Sequence, residues 1–194
     1  MTINAPFNLN KWIEQNRDLL KPPVGNKNIY KESGDYIVMV VGGPNARKDY
    51  HYNETEELFY QLEGNIEVHV QENGEKKTMK LGPGDMYLHP GKVPHSPVRN
   101  EGSIGLVIER NRLGETGEDG LLWFCEKCNN KLYEVYFPLQ DIETDFLKHF
   151  KIFYESEELR TCNKCGTVMP AEEKYIGEQT VDKSSRNINK QEQE

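Results

Sequence analysis

The spacing of apolar residues changes three times along the chain. In FNLNKWIEQNRDLLKPP, residues 7–23, Trp12, Ile13, Leu19 and Leu20 form a rough helical stripe. Asn8 or Asn10 can cap its start and Pro22-Pro23 stop it, so the pattern predicts one short helix. VGNKN then reads as a loop. From Ile29 to about Arg112, short runs such as DYIVMVVGG, ELFYQLEG, GDMYLHPG and IGLVIER alternate with Gly, Pro and Asn, the signature of short strands and tight turns. In NIEVHVQE, Ile66, Val68 and Val70 alternate with Glu67, His69 and Gln71, which predicts one buried and one wet face. Many short strands with Gly-Pro corners indicate an antiparallel sandwich or barrel. Beyond Gly120 the pattern changes again, to WFCEKCNNKLYEVYF, an amphipathic helix near residues 141–158, and RTCNKCGTVMP. The stretch after Pro170 has few large apolar groups and reads as disordered.

This pattern divides the chain into a helix and lid loop (1–28), a β-barrel (29–115), a C-terminal extension (116–170) and a tail (171–194). A length of 194 residues with 36% hydrophobic content suits one ordinary core and a small annex. A net charge of −8 argues against a nucleic-acid groove, which needs clustered Lys and Arg. No apolar run reaches membrane-spanning length and the N-terminus lacks a signal-sequence pattern, so the expectation is a cytoplasmic protein with neither nucleic-acid nor membrane partners.

Candidate chemistry lies in two constellations. In RKDYHYNETEELFYQLEGN, residues 47–65, His51 ends one strand, a turn follows, and Glu57 starts the next. This predicts an imidazole and a carboxylate facing each other across a hairpin, with Glu56 on the opposite face. GPGDMYLHPGKVPHSPVRN, residues 82–100, adds a strand and a turn that lead to His95. Two histidines and one carboxylate on barrel strands make a facial triad suited to Fe(II), which leaves about three of six coordination positions open. His69 reads as a surface histidine, and His89 and His149 lack comparable company. The second constellation is Cys125, Cys128, Cys162 and Cys165. Two Cys-x-x-Cys pairs in a reducing compartment suggest one tetrahedral thiolate site, of iron or zinc, sooner than two disulfides. The 33 residues between the pairs favour a ribbon or rubredoxin-like site over a zinc finger. Four thiolates leave no open position, so its role is expected to be structural.

His51, Glu57 and Gly64 resemble the first cupin motif, with Asn53 where many cupins carry a further histidine, and Gly84, Pro90 and His95 resemble the second. The expected fold is therefore mainly β: a cupin barrel (double-stranded β-helix, jelly roll) with a short N-terminal helix and a small C-terminal, rubredoxin-like metal annex of four cysteines. LLKPPVGN, VVGGPNARKDYH, HSPVR, LVIER and the late Cys pairs together resemble the bacterial-type 3-hydroxyanthranilate 3,4-dioxygenase family over roughly residues 6–170. The resemblance implies extradiol-type cleavage of a small aromatic substrate by dioxygen at Fe(II), giving 2-amino-3-carboxymuconate semialdehyde. That product cyclises to quinolinate, in tryptophan and kynurenine catabolism or NAD biosynthesis. The resemblance also implies a homodimer, and it implies roles for particular residues. Arg99 takes the substrate carboxylate, Arg47 lies on the dioxygen side, Glu109 bonds the amino and hydroxyl groups and accepts a proton, Glu57 lies at the substrate as well as the metal, and Asn26 sits on a lid loop. Lys92 stands where some relatives have histidine, so no histidine base is expected there. The rival readings are a dioxygenase of the homogentisate or cysteine type and a non-enzymatic ligand-sensing cupin. A sensor has no evident need for a cation and a carboxylate aimed at one metal, which makes Arg99 and Glu109 the discriminating residues.

Overall fold

The computed structural model describes residues 5–21, 25–31, 33–111, 118–140 and 142–176. Helix α1 (Leu9–Asn16) is capped by Asn8, whose Oδ1 accepts from the Lys11 N–H at 2.9 Å. A 3-10 turn, Arg17–Leu20, follows it. Ile13 and Leu20 are buried against Val40 and Ile104, whereas Leu19, expected on the apolar stripe, is 49% exposed because the tighter turn rotates it outward. The prolines expected to stop the helix lie outside the described residues.

The strands are β1 (Asn26–Asn28), β2 (Tyr36–Gly42), β3 (Asp49–Tyr52), β4 (Glu57–Glu63), β5 (Ile66–Glu72), β6 (Glu75–Leu81), β7 (Met86–His89), β8 (His95–Arg99), β9 (Ile104–Arg110), β10 (Asp119–Phe124) and β11 (Lys131–Phe137). They form two antiparallel sheets, ordered β1-β2-β9-β4-β7 and β11-β10-β3-β8-β5-β6. Asn26 therefore opens an edge strand, paired with Val41, rather than lying on a loop. Between the sheets Val41, Phe59, Ile66, Val68, Val70, Leu81 and Val107 make the barrel core. The alternation read in β5 holds for Ile66, Val68 and Val70, all at or below 3% exposure. Gln71 is buried too, because its amide pairs with Asn129 across the molecule.

The extension after residue 116 does not hang off the barrel. Its strand β10 pairs with β3 from Gly120↔Tyr52 to Trp123↔Asp49, so it continues the six-stranded sheet. Helices α2 (Ile142–Glu155) and α3 (Glu157–Arg160) complete this part. Here Trp123, Phe146, Phe150, Phe153 and Tyr154 form an aromatic core in which Trp123 stacks on Phe153 at 4.3 Å. Burying each such ring contributes about 2–3 kcal/mol. Ordered chain runs past Pro170, through a 3-10 turn (Glu173–Tyr175) whose Tyr175 ring stacks on Tyr154 at 5.2 Å. The remainder of the expected tail, 177–194, lies outside the described residues. Among the described residues no helix is long and apolar enough to cross a membrane.

Candidate metal centres

His51 and His95 are direct register partners on β3 and β8, and both side chains enter the barrel from the six-stranded sheet. Glu57 comes from β4 in the facing sheet. The expected hairpin contact is thus corrected: Asn53–Glu56 carries the chain from one sheet to the other, and the triad closes across the barrel interior. His51 Nδ1 lies 3.7 Å and His95 Nε2 2.9 Å from the Glu57 carboxylate. All three residues are buried, with ligand atoms within 4.8 Å of one another.

The donor set fits a divalent cation with mixed nitrogen and oxygen preference. Burial pushes the His51 imidazole below its ordinary value, against the hydrogen bond of Asp119, which favours the neutral form that a ligand needs. Burial works upward on Glu57, but the contact with His95 and the nearby His51 together hold it well below the usual carboxylate range. Nδ1 of His95 is buried with no hydrogen-bond partner. His51 Nδ1, His95 Nε2 and the Glu57 carboxylate face one another closely enough for one cation to be held by all three.

Around the triad, a cavity is lined by Asn26, Met39, Val41, Arg47, Phe59, Pro97, Arg99, Val107, Glu109 and Phe146. Arg99 lies four residues along β8 from His95, and the two-residue strand period points both the same way. Its guanidinium is 3% exposed, its Nη1 has no partner, and burial lowers its pKa to about 10 despite the nearby Glu57. Gly105 makes room for it: a Cβ there would meet Gln61 Oε1 at 2.8 Å and Arg99 Nη1 at 3.0 Å. Glu109 is the register partner of Glu57 on β9, and the Asn53 side-chain N–H donates to both, at 2.9 Å to Glu57 and 3.5 Å to Glu109. Arg47 reaches the cavity wall, where it pairs with Asp49 and lies 5.6 and 5.3 Å from the Phe146 and Phe150 ring centroids.

Four contributors escaped sequence reasoning. Asp119, wholly buried, has Oδ2 at 2.7 Å from His51 Nε2. Asp49 pairs with Arg47, and Phe146 packs edge-on against His51 at 5.2 Å. His89, also set aside, lies behind the site with its ring 4.3 Å from that of His95, accepting from the Tyr87 hydroxyl and donating to the Val93 carbonyl. Asp119 did carry a signal: it heads the apolar run DGLLWF, an odd place for a carboxylate. His69 pairs with Glu67 at the surface as expected, and Lys92 occupies a turn with φ of 65°.

The cysteines also converge. Sγ–Sγ distances of 3.6 Å for Cys125–Cys165 and for Cys128–Cys162 are far too long for disulfides. A tetrahedron with metal–sulfur bonds of about 2.3 Å has edges of about 3.8 Å, close to this spacing. The two knuckles share a backbone design. The Cys125 carbonyl accepts from Asn129 N and the Cys162 carbonyl from Gly166 N, and both donors have left-handed φ, 56° and 71°. Hydrogen bonds at Thr167 lower the Cys165 thiol to about 6. Against a backbone hydrogen bond at Asn130, desolvation and the three neighbouring thiols push Cys128 up to about 12.

The two facing sheets and the buried two-histidine, one-carboxylate cluster define a metal-binding cupin. The sequence matches the 3-hydroxyanthranilic acid dioxygenase family over residues 1–154, and the chain belongs to that family. It is 56% identical over 170 residues to a protein of Xanthomonas campestris pv. campestris (strain 8004) named 3-hydroxyanthranilate 3,4-dioxygenase, covering 88% of this chain and 95% of that one. A protein of the same name from Paraburkholderia phytofirmans (strain DSM 17436 / LMG 22146 / PsJN) is 46% identical over 171 residues, covering 88% and 97%. Among solved structures, a cupin-2 domain protein from Shewanella frigidimarina NCIMB 400 is similar at 23% identity and a TM-score of 0.44, over 54% of this chain and 94% of that one.

Proposed function

We propose that this chain is a ring-cleaving dioxygenase that converts 3-hydroxyanthranilate and dioxygen to 2-amino-3-carboxymuconate semialdehyde, with Fe(II) held by His51, Glu57 and His95. The reading is carried by one observation: a buried guanidinium, Arg99, whose Nη1 has no partner, shares a cavity with the triad. A buried cation without a full set of partners is costly, and a substrate carboxylate supplies what it lacks. Fe(II), when held by these three residues, would supply the redox chemistry that lets dioxygen react with the ring.

The chain's own groups do the rest. Arg99 takes the carboxylate and so fixes which ring edge meets the triad. Glu109, beside Glu57, faces the ring substituents, bonds the amino and hydroxyl groups, and receives the phenol proton. The Asn53 amide, donating to both carboxylates, eases the repulsion between them. Arg47, held by Asp49 and two aromatic rings, presents positive charge on the side assigned to dioxygen, where negative charge develops. Met39, Val41, Phe59, Pro97 and Val107 keep the cavity apolar, and Asn26 stands at its rim on β1.

A single Fe or Zn ion at the four cysteines holds the C-terminal part together, and the protein works in the cytoplasm as a homodimer. Support for pairing with a second copy comes from β7, where Met86 and Leu88 are 65% and 56% exposed beside their β4 partners Tyr60 and Leu58. Light scattering of the native protein and of Leu88→Lys tests this.

Oxygen uptake by Fe(II)-loaded protein tests the activity, with 3-hydroxyanthranilate, 2-aminophenol, homogentisate and cysteine as the panel. Consumption of one dioxygen per 3-hydroxyanthranilate, with the product chromophore, is expected. Uptake with homogentisate or cysteine alone, or with none of the four, overturns the reading.

A further inference from the structure

We propose that Asp119 is a positioning residue of the barrel centre, fixing the ring plane and tautomer of His51 from the strand that runs into the first cysteine knuckle. The proposal rests on the reading of His51 as a metal ligand. The Asp119 side chain is 0% exposed and its Oδ2 lies 2.7 Å from His51 Nε2. A carboxylate buried this completely is expensive unless a charged or strongly polar group meets it, and here an imidazole does. With Nε2–H donated to Asp119, the lone pair of His51 sits on Nδ1, the nitrogen that faces Glu57 Oε1 at 3.7 Å. The bond therefore selects the tautomer that can ligate, aims it at the other donors, and raises its basicity.

Two further observations set this contact apart from an ordinary structural ion pair. Phe146 lies edge-on to the His51 ring at 5.2 Å, so the ring is held on one side by a hydrogen bond and on another by packing. His95 has no such anchor: its Nδ1 is unpartnered, and its ring is held by His89 and Phe59 at 4.3 and 5.9 Å. The two histidines are thus inequivalent. Both restraints on His51 come from residues beyond the barrel strands β1–β9, from β10 and α2, and β10 ends one residue before Cys125. The C-terminal part of the chain orients a ligand of the barrel site through Asp119.

The experiment fills the cysteine site with zinc, exchanges the barrel metal for Co(II), and follows Co(II) affinity by chelator competition together with the hyperfine-shifted N–H resonances in proton NMR. For the native chain a slowly exchanging His51 N–H is expected. Asp119→Ala should weaken Co(II) binding about 10- to 100-fold and lose that resonance to solvent exchange. Asp119→Asn, whose amide oxygen still accepts, should recover the resonance and the greater part of the affinity. Should Asp119→Ala fail to fold, the Asn variant decides, with a several-fold loss of affinity expected from the missing charge. Native affinity and an unchanged resonance in the folded variant overturn the proposal, as does a lowered melting temperature with Co(II) binding unmoved. Native protein that binds no more Co(II) at the barrel than Glu57→Ala overturns the metal reading of the triad, and this proposal with it.

Discussion

The barrel cluster and the cysteine cluster are both candidate metal centres, yet they are built in opposite ways. Each cysteine knuckle is a local object, a short turn closed by two backbone hydrogen bonds through a left-handed residue, and the two knuckles bring their sulfurs together. Four sulfurs converge at their focus. The barrel cluster has no local unit: its histidines come from neighbouring strands, its carboxylate from the facing sheet, and beside it are a partnerless imidazole nitrogen and a buried guanidinium. A closed site can be made by short turns because its donors satisfy the ion and one another. An open site leaves polar groups unsatisfied in a dry interior, and only a surrounding core can hold them there.

If that contrast is right, losing a donor should abolish chemistry at one site and stability at the other. Glu57→Ala should remove barrel metal and reduce turnover by at least about 10³-fold, while circular dichroism and the melting temperature stay near native. A variant that keeps full metal and full rate would remove Glu57 from the ligand set. Cys125→Ser should instead lower the melting temperature by about 10 °C or more, because binding at a closed thiolate site is folding free energy. Its turnover per folded, iron-loaded molecule, measured well below that melting point, should stay within about tenfold of native. A stable, iron-loaded Cys125→Ser protein with no turnover would erase the contrast and restore a redox role.

The buried Arg99 guanidinium, with its unpartnered Nη1, provides a finer test of the open site. Arg99→Ala should weaken 3-hydroxyanthranilate by about 30-fold or more, a penalty on the order of 2–5 kcal/mol, and leave 2-aminophenol nearly unaffected. Arg47→Ala should slow turnover of both compounds, since its charge lies toward dioxygen. Equal losses on both substrates for Arg99→Ala would make that arginine structural. The mildest perturbation is Gly105→Ala, whose Cβ crowds Gln61 and Arg99. It should raise KM for 3-hydroxyanthranilate about threefold to tenfold through an overpacking strain of about 1 kcal/mol, with kcat little changed. An unchanged KM would show that the guanidinium has freedom to spare.

How far each site could be read in advance follows the same division. Residue type and spacing exposed His51, Glu57, His95 and the four cysteines, because ligand chemistry needs those groups. Arg47, Arg99 and Glu109 came from the family resemblance, because an arginine or a glutamate in a strand has no spacing that marks it by itself. Spacing misled where it was taken for adjacency: six residues from His51 to Glu57 suggested a hairpin, whereas the intervening turn crosses between sheets. Asn26 reads as loop from sequence alone, because a three-residue edge strand of polar residues has no alternation to reveal it.

What the chain determined by itself was therefore which side chains carry chemistry, where strands and knuckles begin, and which face of each strand turns inward. Those properties depend on residue type and on a backbone period only two to four residues long. Tertiary structure alone decided that Asp119 meets His51 across 68 positions, that Phe146 and Phe150 flank Arg47 from beyond the barrel strands, and that Asn53 bridges two carboxylates. These contacts join segments distant in sequence, and no local period encodes which strand lies beside or opposite another. That choice is made by the burial of the whole core.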